Sequence, residues 1–132
     1  MFIITELKDE FTTEDVERLL KQAYWAKNRS HEVNERAIQN SLCFGAISKS
    51  SNQLIGFARV ITDYATTFYI CDVIVDEQNR GHGIGKALID TITKDERLAH
   101  QRGMLLTKDA HGLYEHYGFY RDGTFYMGKN PE

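Results

Sequence analysis

The sequence predicts a mixed α/β fold of the α+β kind, and three observations carry that reading. Apolar periodicity switches between helical and strand types along the whole chain. Three segments rich in β-branched and aromatic residues follow one another in the middle with only short turns between them, the pattern of an antiparallel meander. The third runs through a glycine-bearing loop into a helix, which with the next strand makes one βαβ crossover. With 132 residues, 42% hydrophobic and 27% charged, the chain can bury one core and is too apolar to stay disordered. No linker, repeat or low-complexity tract interrupts it, so a single domain over residues 1–132 is expected.

In order, Phe2 to Leu7 reads as a first strand. Thr12 or Thr13 caps a helix whose Val16, Leu19, Leu20 and Ala23 recur on one face. Tyr24 to Glu32 is a polar connection bearing aromatic residues, and a second helix is expected from Val33 to Asn40. Leu42 to Ile47, Leu54 to Thr62 and Thr67 to Val75 are the meander strands, turned at Ser50 to Gln53 and at Asp63 to Thr66. A loop from Asp76 to Gly83 leads into a helix marked by Ile84, Ala87, Leu88, Thr91 and Ile92. Met104 to Thr107 is a short strand, and Asp109 is placed to cap a helix carrying Leu113, Tyr114 and Tyr117. Phe119 to Tyr120 and Thr124 to Met127 are expected to close the chain as a strand or hairpin around Asp122-Gly123.

Charge and cysteine usage exclude several classes. Sixteen basic residues against 19 acidic leave a net charge of −3, which argues against a nucleic-acid partner. No apolar run approaches the roughly 18 residues of a membrane helix, and the N-terminus lacks the basic and small-residue marks of a signal peptide. Cys43 and Cys71 lie inside apolar runs, as buried thiols in a reducing cytoplasm would. There is no Cys-x-x-Cys or paired-His spacing, so no metal is expected.

The most informative segment runs from Cys71 to Ile89. A strand ends at Val75, and Arg80, Gly81, Gly83 and Gly85 lead directly into a helix. Glycines there admit positive φ and close approach, the first helical amides converge on one spot, and Arg80 and Lys86 add charge. That is a phosphate site, the alternative being a plain glycine turn capping a helix. A Walker loop is excluded: only three residues separate Gly81 from Gly85, and Ala87 stands where the Mg²⁺-binding hydroxyl belongs. A dinucleotide fingerprint is excluded because Lys86 stands in place of its third glycine.

Arg80-Gly81-His82-Gly83-Ile84-Gly85 resembles the R-x-x-G-x-G signature of the GCN5-related N-acetyltransferases (GNAT). Leu113-Tyr114-Glu115-His116-Tyr117-Gly118-Phe119 resembles that family's second landmark, and the element order matches over essentially the whole chain. The resemblance implies a mostly antiparallel sheet splayed between strands 4 and 5, flanked by about four helices. It implies that acetyl-CoA is the cosubstrate, with its pyrophosphate on the amides from Arg80 to Lys86, including Gly81, His82, Gly83, Ile84 and Gly85. Its pantetheine arm would run along Val73, Ile74 and Val75. Where family members commonly show Asn, this chain has Asp109, which is either a pantetheine contact or only a helix cap.

Acetyl transfer from a thioester to an amine needs a neutral amine, an aligned carbonyl, an oxyanion donor and a proton for the departing thiolate. Ordinary pKa values of about 8.5 for a thiol and 10.4 for an alkylamine show why both ends need help. Tyr114 aligns with the family's general-acid tyrosine. Gly112 sits inside the predicted helix, explained either by cofactor approach or by tight packing. Asp72 interrupts an apolar run and, by strict alternation, shares a face with Ile70 and Ile74. It is a base acting through water, a ligand for the substrate cation, or a buried structural carboxylate; a bulge in the strand would redirect it. Cys71 reads as an inert thiol. The resemblance places the acceptor pocket near the connection between the first two helices. There Tyr24, Trp25 and Tyr64 form an expected aromatic wall, with Asp63 or Asp72 facing a cation; the alternative is that Trp25 plugs the edge of the core. The expected activity is direct transfer from acetyl-CoA to a small-molecule or peptide amine. A non-catalytic acyl-CoA-binding module, acting as sensor or scaffold, is the second class. A homodimer through Thr124 to Gly128 is allowed but not required.

Overall fold

The computed structural model describes residues 1–6 and 8–131. Five strands form one sheet in chain order: β1 (Phe2–Thr5), β2 (Leu42–Ser48), β3 (Leu54–Thr62), β4 (Thr67–Val75) and β5 (Arg102–Leu105). The first four pair antiparallel and β5 joins β4 in parallel, so the predicted meander and single crossover are both present. The expected end of the first strand, Leu7, lies outside the described residues. Helices α1 (Thr13–Leu20) and α2 (His31–Gln39) cover one face. Helix α3 (Ile84–Thr93) covers the other, with α4 (His111–Glu115) beside it.

Local signals account for the helix starts. Thr12 caps α1 in a reciprocal box: its hydroxyl accepts from the Asp15 amide, and the Asp15 carboxylate accepts from the Thr12 amide. Ser30 caps α2 through the Val33 amide, so that helix begins two residues before the expected Val33. The sheet carries two cores, one on each face. Val16, Leu19, Leu20 and Ile38 meet Cys43, Phe57 and Ile74 on the α1–α2 face. Ile84, Leu88, Ile89 and Ile92 meet Phe44, Val60, Phe68 and Ile70 on the other.

Three expectations are corrected. The fifth strand begins two residues earlier than Met104, because Gly103 lies under Phe68: a Cβ there would stand 2.5 Å from the ring. The closing strands at Phe119 to Tyr120 and Thr124 to Met127 do not form. Gly118, at φ +91°, ends α4 and turns Phe119 back so that its ring meets Tyr114 at 6.0 Å and Phe68 at 6.5 Å. Beyond it Tyr120, Phe125 and Met127 are exposed, and strand propensity finds no ladder to join. Asp109 does not cap α4. Ala110 is the capping residue, and its amide donates to the Thr107 hydroxyl.

The splay also has a visible origin. β4 pairs with β5 only from Thr67 to Ile70, while it stays paired with β3 as far as Val75. From Cys71 onward the sheet is open on the β5 side.

Candidate active site

The glycine loop is set by its own residues. Gly81 and Gly83 sit at φ +84° and +79°, where L side chains are strained, and a Cβ on either would meet nothing within 4 Å. Gly83 caps α3 with no side-chain hydrogen bond. The first amide bonded into the helix is that of Ala87, to the Gly83 carbonyl. The amides ahead of it, from Ile84 to Lys86, therefore face the loop's open side with the positive end of the helix dipole behind them. The Arg80 Nε–H donates to the Val75 carbonyl at 3.3 Å, and His82 Nδ1 lies 3.1 Å from the Asn79 carbonyl. Both contacts fold the loop back on the end of β4.

The base of the loop is held by a contact the sequence did not signal. Asp76 accepts from the Gln78 amide, from Asn79 and from Gln22 of the α1 end, while the Glu77 amide donates to the Gln22 side chain. Arg18 adds a 3.7 Å ion pair to Asp76 and donates to the Leu54 carbonyl. A residue such as Gln22 carries no motif, so only the packing of α1 across the sheet identifies it.

Tyr114 is buried, at 8% exposure, and among the described residues its hydroxyl has no hydrogen-bond partner. Burial, and then the nearby Asp109 charge, push its pKa above the usual phenol value, so it keeps its proton. Tyr117 is structural, its hydroxyl donating to the Lys86 carbonyl at 3.3 Å and tying α4 to α3. A Cβ on Gly112 would meet nothing within 4 Å, which removes tight packing as the reason for that glycine. An open cleft of about 1190 Å³ runs from Tyr114 and His111 along β5 to the C-terminal segment; the glycine loop does not line it.

Asp72 corrects the sequence reading most. Ala58 of β3 faces both Asp72 and Val73, a bulge, and Asp72 takes φ +51°. The bulge puts Ile70 in one core and Ile74 in the other, so the two do not share a face. The Asp72 carboxylate points to the α1–α2 side. There Arg29 donates to both oxygens at 2.8 Å, Arg59 Nε donates at 2.9 Å, and the Trp25 indole N–H donates at 3.1 Å. Burial alone would raise its pKa; the Arg29 hydrogen bonds and the Arg59 charge overcome it and hold the carboxyl at about 2. With 6% exposure and every oxygen engaged, Asp72 is the buried structural alternative and a poor base. Arg29 and Arg59 are the residues sequence reading missed.

The expected acceptor wall is assembled only in part. Tyr24 and Trp25 stack edge to face at 5.2 Å, and Lys108 sits 5.6 Å above the Tyr24 ring. They project outward because Ala23 and Ala26 bury on either side of them. Asp63 and Tyr64 are not with them. They lie in the β3–β4 turn, ahead of Thr67, at the far end of β4 from the glycine loop. Asp63 accepts from the Ala65, Thr66 and Thr67 amides and the Thr66 hydroxyl, bonds that hold its pKa far below normal and leave it to the turn. Cys71 is a free thiol raised to about 11 by burial and by the Asp72 charge, which makes it inert at neutral pH.

Fold, glycine loop and tyrosine helix together define a splayed-sheet α/β domain with an open helix start at the splay. Residues 39–121 match the family model described as the acetyltransferase (GNAT) domain, and the chain belongs to that family. A relative named as an uncharacterized N-acetyltransferase, ycf52, from Gracilaria tenuistipitata var. liui is 31% identical over 82% of this chain; the match spans 62% of the relative. A crystal structure from Xanthomonas campestris pv. campestris, assigned to the GNAT family, superposes with a TM-score of 0.91 at 36% identity. It covers 99% of this chain and 94% of the other. An aminoglycoside 6′-N-acetyltransferase complexed with coenzyme A shares the fold at a TM-score of 0.59 and 21% identity, over 70% of this chain and 53% of its own. Among the described residues no helix is long and apolar enough to cross a membrane.

Proposed function

We propose that the chain, as one domain, transfers an acetyl group from acetyl-CoA directly to a primary amine in a ternary complex. The observation that carries this reading is the uncapped start of α3, with Gly81 and Gly83 at positive φ, standing at the mouth of the β4–β5 splay. The residues fit the cosubstrate: the space beside Gly81, Gly83 and Gly112 admits a ligand where a Cβ would intrude. Amides from Arg80 to Lys86 would hold the diphosphate, and the unpaired edge of Val73, Ile74 and Val75 would hold the pantetheine arm.

Acetyl-CoA supplies the activated acyl group as a thioester. Tyr114 holds its proton by burial and donates it where the sulfur departs. Asp72 is not the base. It fixes Arg29, Arg59 and Trp25 on the α1–α2 face, next to the splay. An acceptor on that face meets the thioester through the opening past Ile70. Two guanidinium groups there disfavour an ammonium ion, so the amine gives its proton to water without a dedicated carboxylate. The cytoplasm is the compartment this reading favours, since Cys43 is buried in β2 and Cys71 lies within β4 rather than in loops. Residues 124–128 form no strand, so the segment on which a homodimer was expected to pair offers no ladder.

Thiol release from acetyl-CoA across a panel of amines, with calorimetric titration of coenzyme A, tests the reading. Saturable binding and amine-dependent release are expected. Binding without release from any amine leaves the sensor alternative, and no binding by folded protein overturns the cosubstrate assignment.

A further inference from the structure

The sign of the charge beside the splay is opposite to that expected for a cation-binding acceptor pocket. Asp72 is outnumbered by Arg29 and Arg59, and its lone pairs are spent on them. Arg59 is also a wall of a second cleft of about 550 Å³, between α2 and the end of β3, in the size range of small-ligand sites. Arg36, Asn40 and Ser41 line the same cleft. Arg59 spends Nε on Asp72 and Nη1 on the Ser41 hydroxyl at 3.1 Å, leaving Nη2 unspent. The Arg36 guanidinium has no carboxylate partner among the described residues. Glu32 is the one carboxylate in the lining. Cluster and cleft thus present three guanidinium groups against two carboxylates, on a chain whose net charge is −3.

We propose that this cleft binds an oxyanion group, carboxylate or phosphate, of the acceptor, through Arg36 and Arg59; the proposal rests on the transferase reading and names its substrate class. Arg59 is the link. Its fork reads the anion at Nη2 while Nε and Nη1 are locked by Asp72 and Ser41, so its orientation needs no further ordering on binding. Exposed Val33 and Ile61 flank the cleft and suit a short aliphatic spacer between anion and amine. Amines whose remainder is cationic, such as polyamines, are repelled by the same groups.

The test separates this proposal from the transferase reading by measuring binding without turnover. Glutarate, inorganic phosphate and 1,5-diaminopentane are titrated into labelled protein, following the Arg36 and Arg59 Nε–H resonances and the Ala37 and Asn40 amides. Saturable shifts with glutarate or phosphate, weakened at least tenfold by Arg36→Ala, are expected; which anion saturates at the lower concentration identifies the source. Saturation by the diamine alone, no saturation by either anion, or anion binding indifferent to Arg36→Ala overturns it. In turnover, 4-aminobutyrate is expected to exceed 1-aminobutane in kcat/KM by at least tenfold, and Arg36→Ala to erase that preference. Equal rates overturn the substrate class while leaving acetyl transfer standing, whereas anion binding with no transfer to any amine sinks the transferase reading alone.

Discussion

The glycine loop and the Asp72 cluster adjoin each other along β4, yet they are made of different materials. The loop works with main-chain amides and left-handed backbone at Gly81 and Gly83. Its side chains mostly face solvent, and its constraint is conformational. The cluster works with side chains from the α1–α2 connection, β3 and β4, three segments brought together by packing, and its constraint is charge balance in a buried place. A main-chain site fails when a side chain is added, whereas a buried ionic site fails when one is taken away.

The largest expected effect breaks the cluster. Asp72→Ala leaves Arg29 and Arg59 facing each other without a counter-charge, and is expected to cost about 3–5 kcal/mol of stability in denaturant unfolding. A loss under about 1 kcal/mol would mean that water, not Asp72, balances the arginines. Next, Tyr114→Phe is expected to lower kcat by about 100-fold while coenzyme A affinity stays within twofold, since only the proton donor is removed. Parallel loss of affinity would make Tyr114 a binding residue.

The pH response separates the two regions further. Asp72 is held at about 2, below its unfolded value, so its contribution is whole above about pH 4 and fades as pH falls toward 2. About 2 kcal/mol of stability should disappear over that window. Denaturation series at pH 5, 4, 3 and 2 on the protein and on Asp72→Asn check this, and equal slopes would refute it. The smallest effect belongs to the loop. Gly83→Val strains a φ of +79° and shields the amides, and about tenfold weaker coenzyme A binding is expected by calorimetry, with the fold retained.

Consecutive residues made the loop legible. Positive φ, an uncapped helix start and flanking cations are all local properties, so Arg80 to Lys86 could be read from one segment. Tyr114 was legible only through its place in the family landmark that ends at Gly118-Phe119; the structure adds that Gly118 leaves α4 left-handed and turns Phe119 inward. The cluster was not. Strict alternation assigned Asp72 a face, and one extra residue opposite Ala58 reversed it. Asp63 had the right chemistry for a cation and was consumed by its own turn. The terminal strands failed because aromatic and β-branched residues favour a ladder only where an edge presents one.

What the sequence by itself determined was the element order as far as α4, the Thr12 cap of α1 and the conformation of the glycine loop, because each depends on neighbours within one or two turns of chain. Tertiary structure alone decided the charge cluster on the α1–α2 face. Arg29 and Arg59 approach Asp72 from 43 and 13 residues away, and the sign of the field there depends on which of these charges the fold buries together.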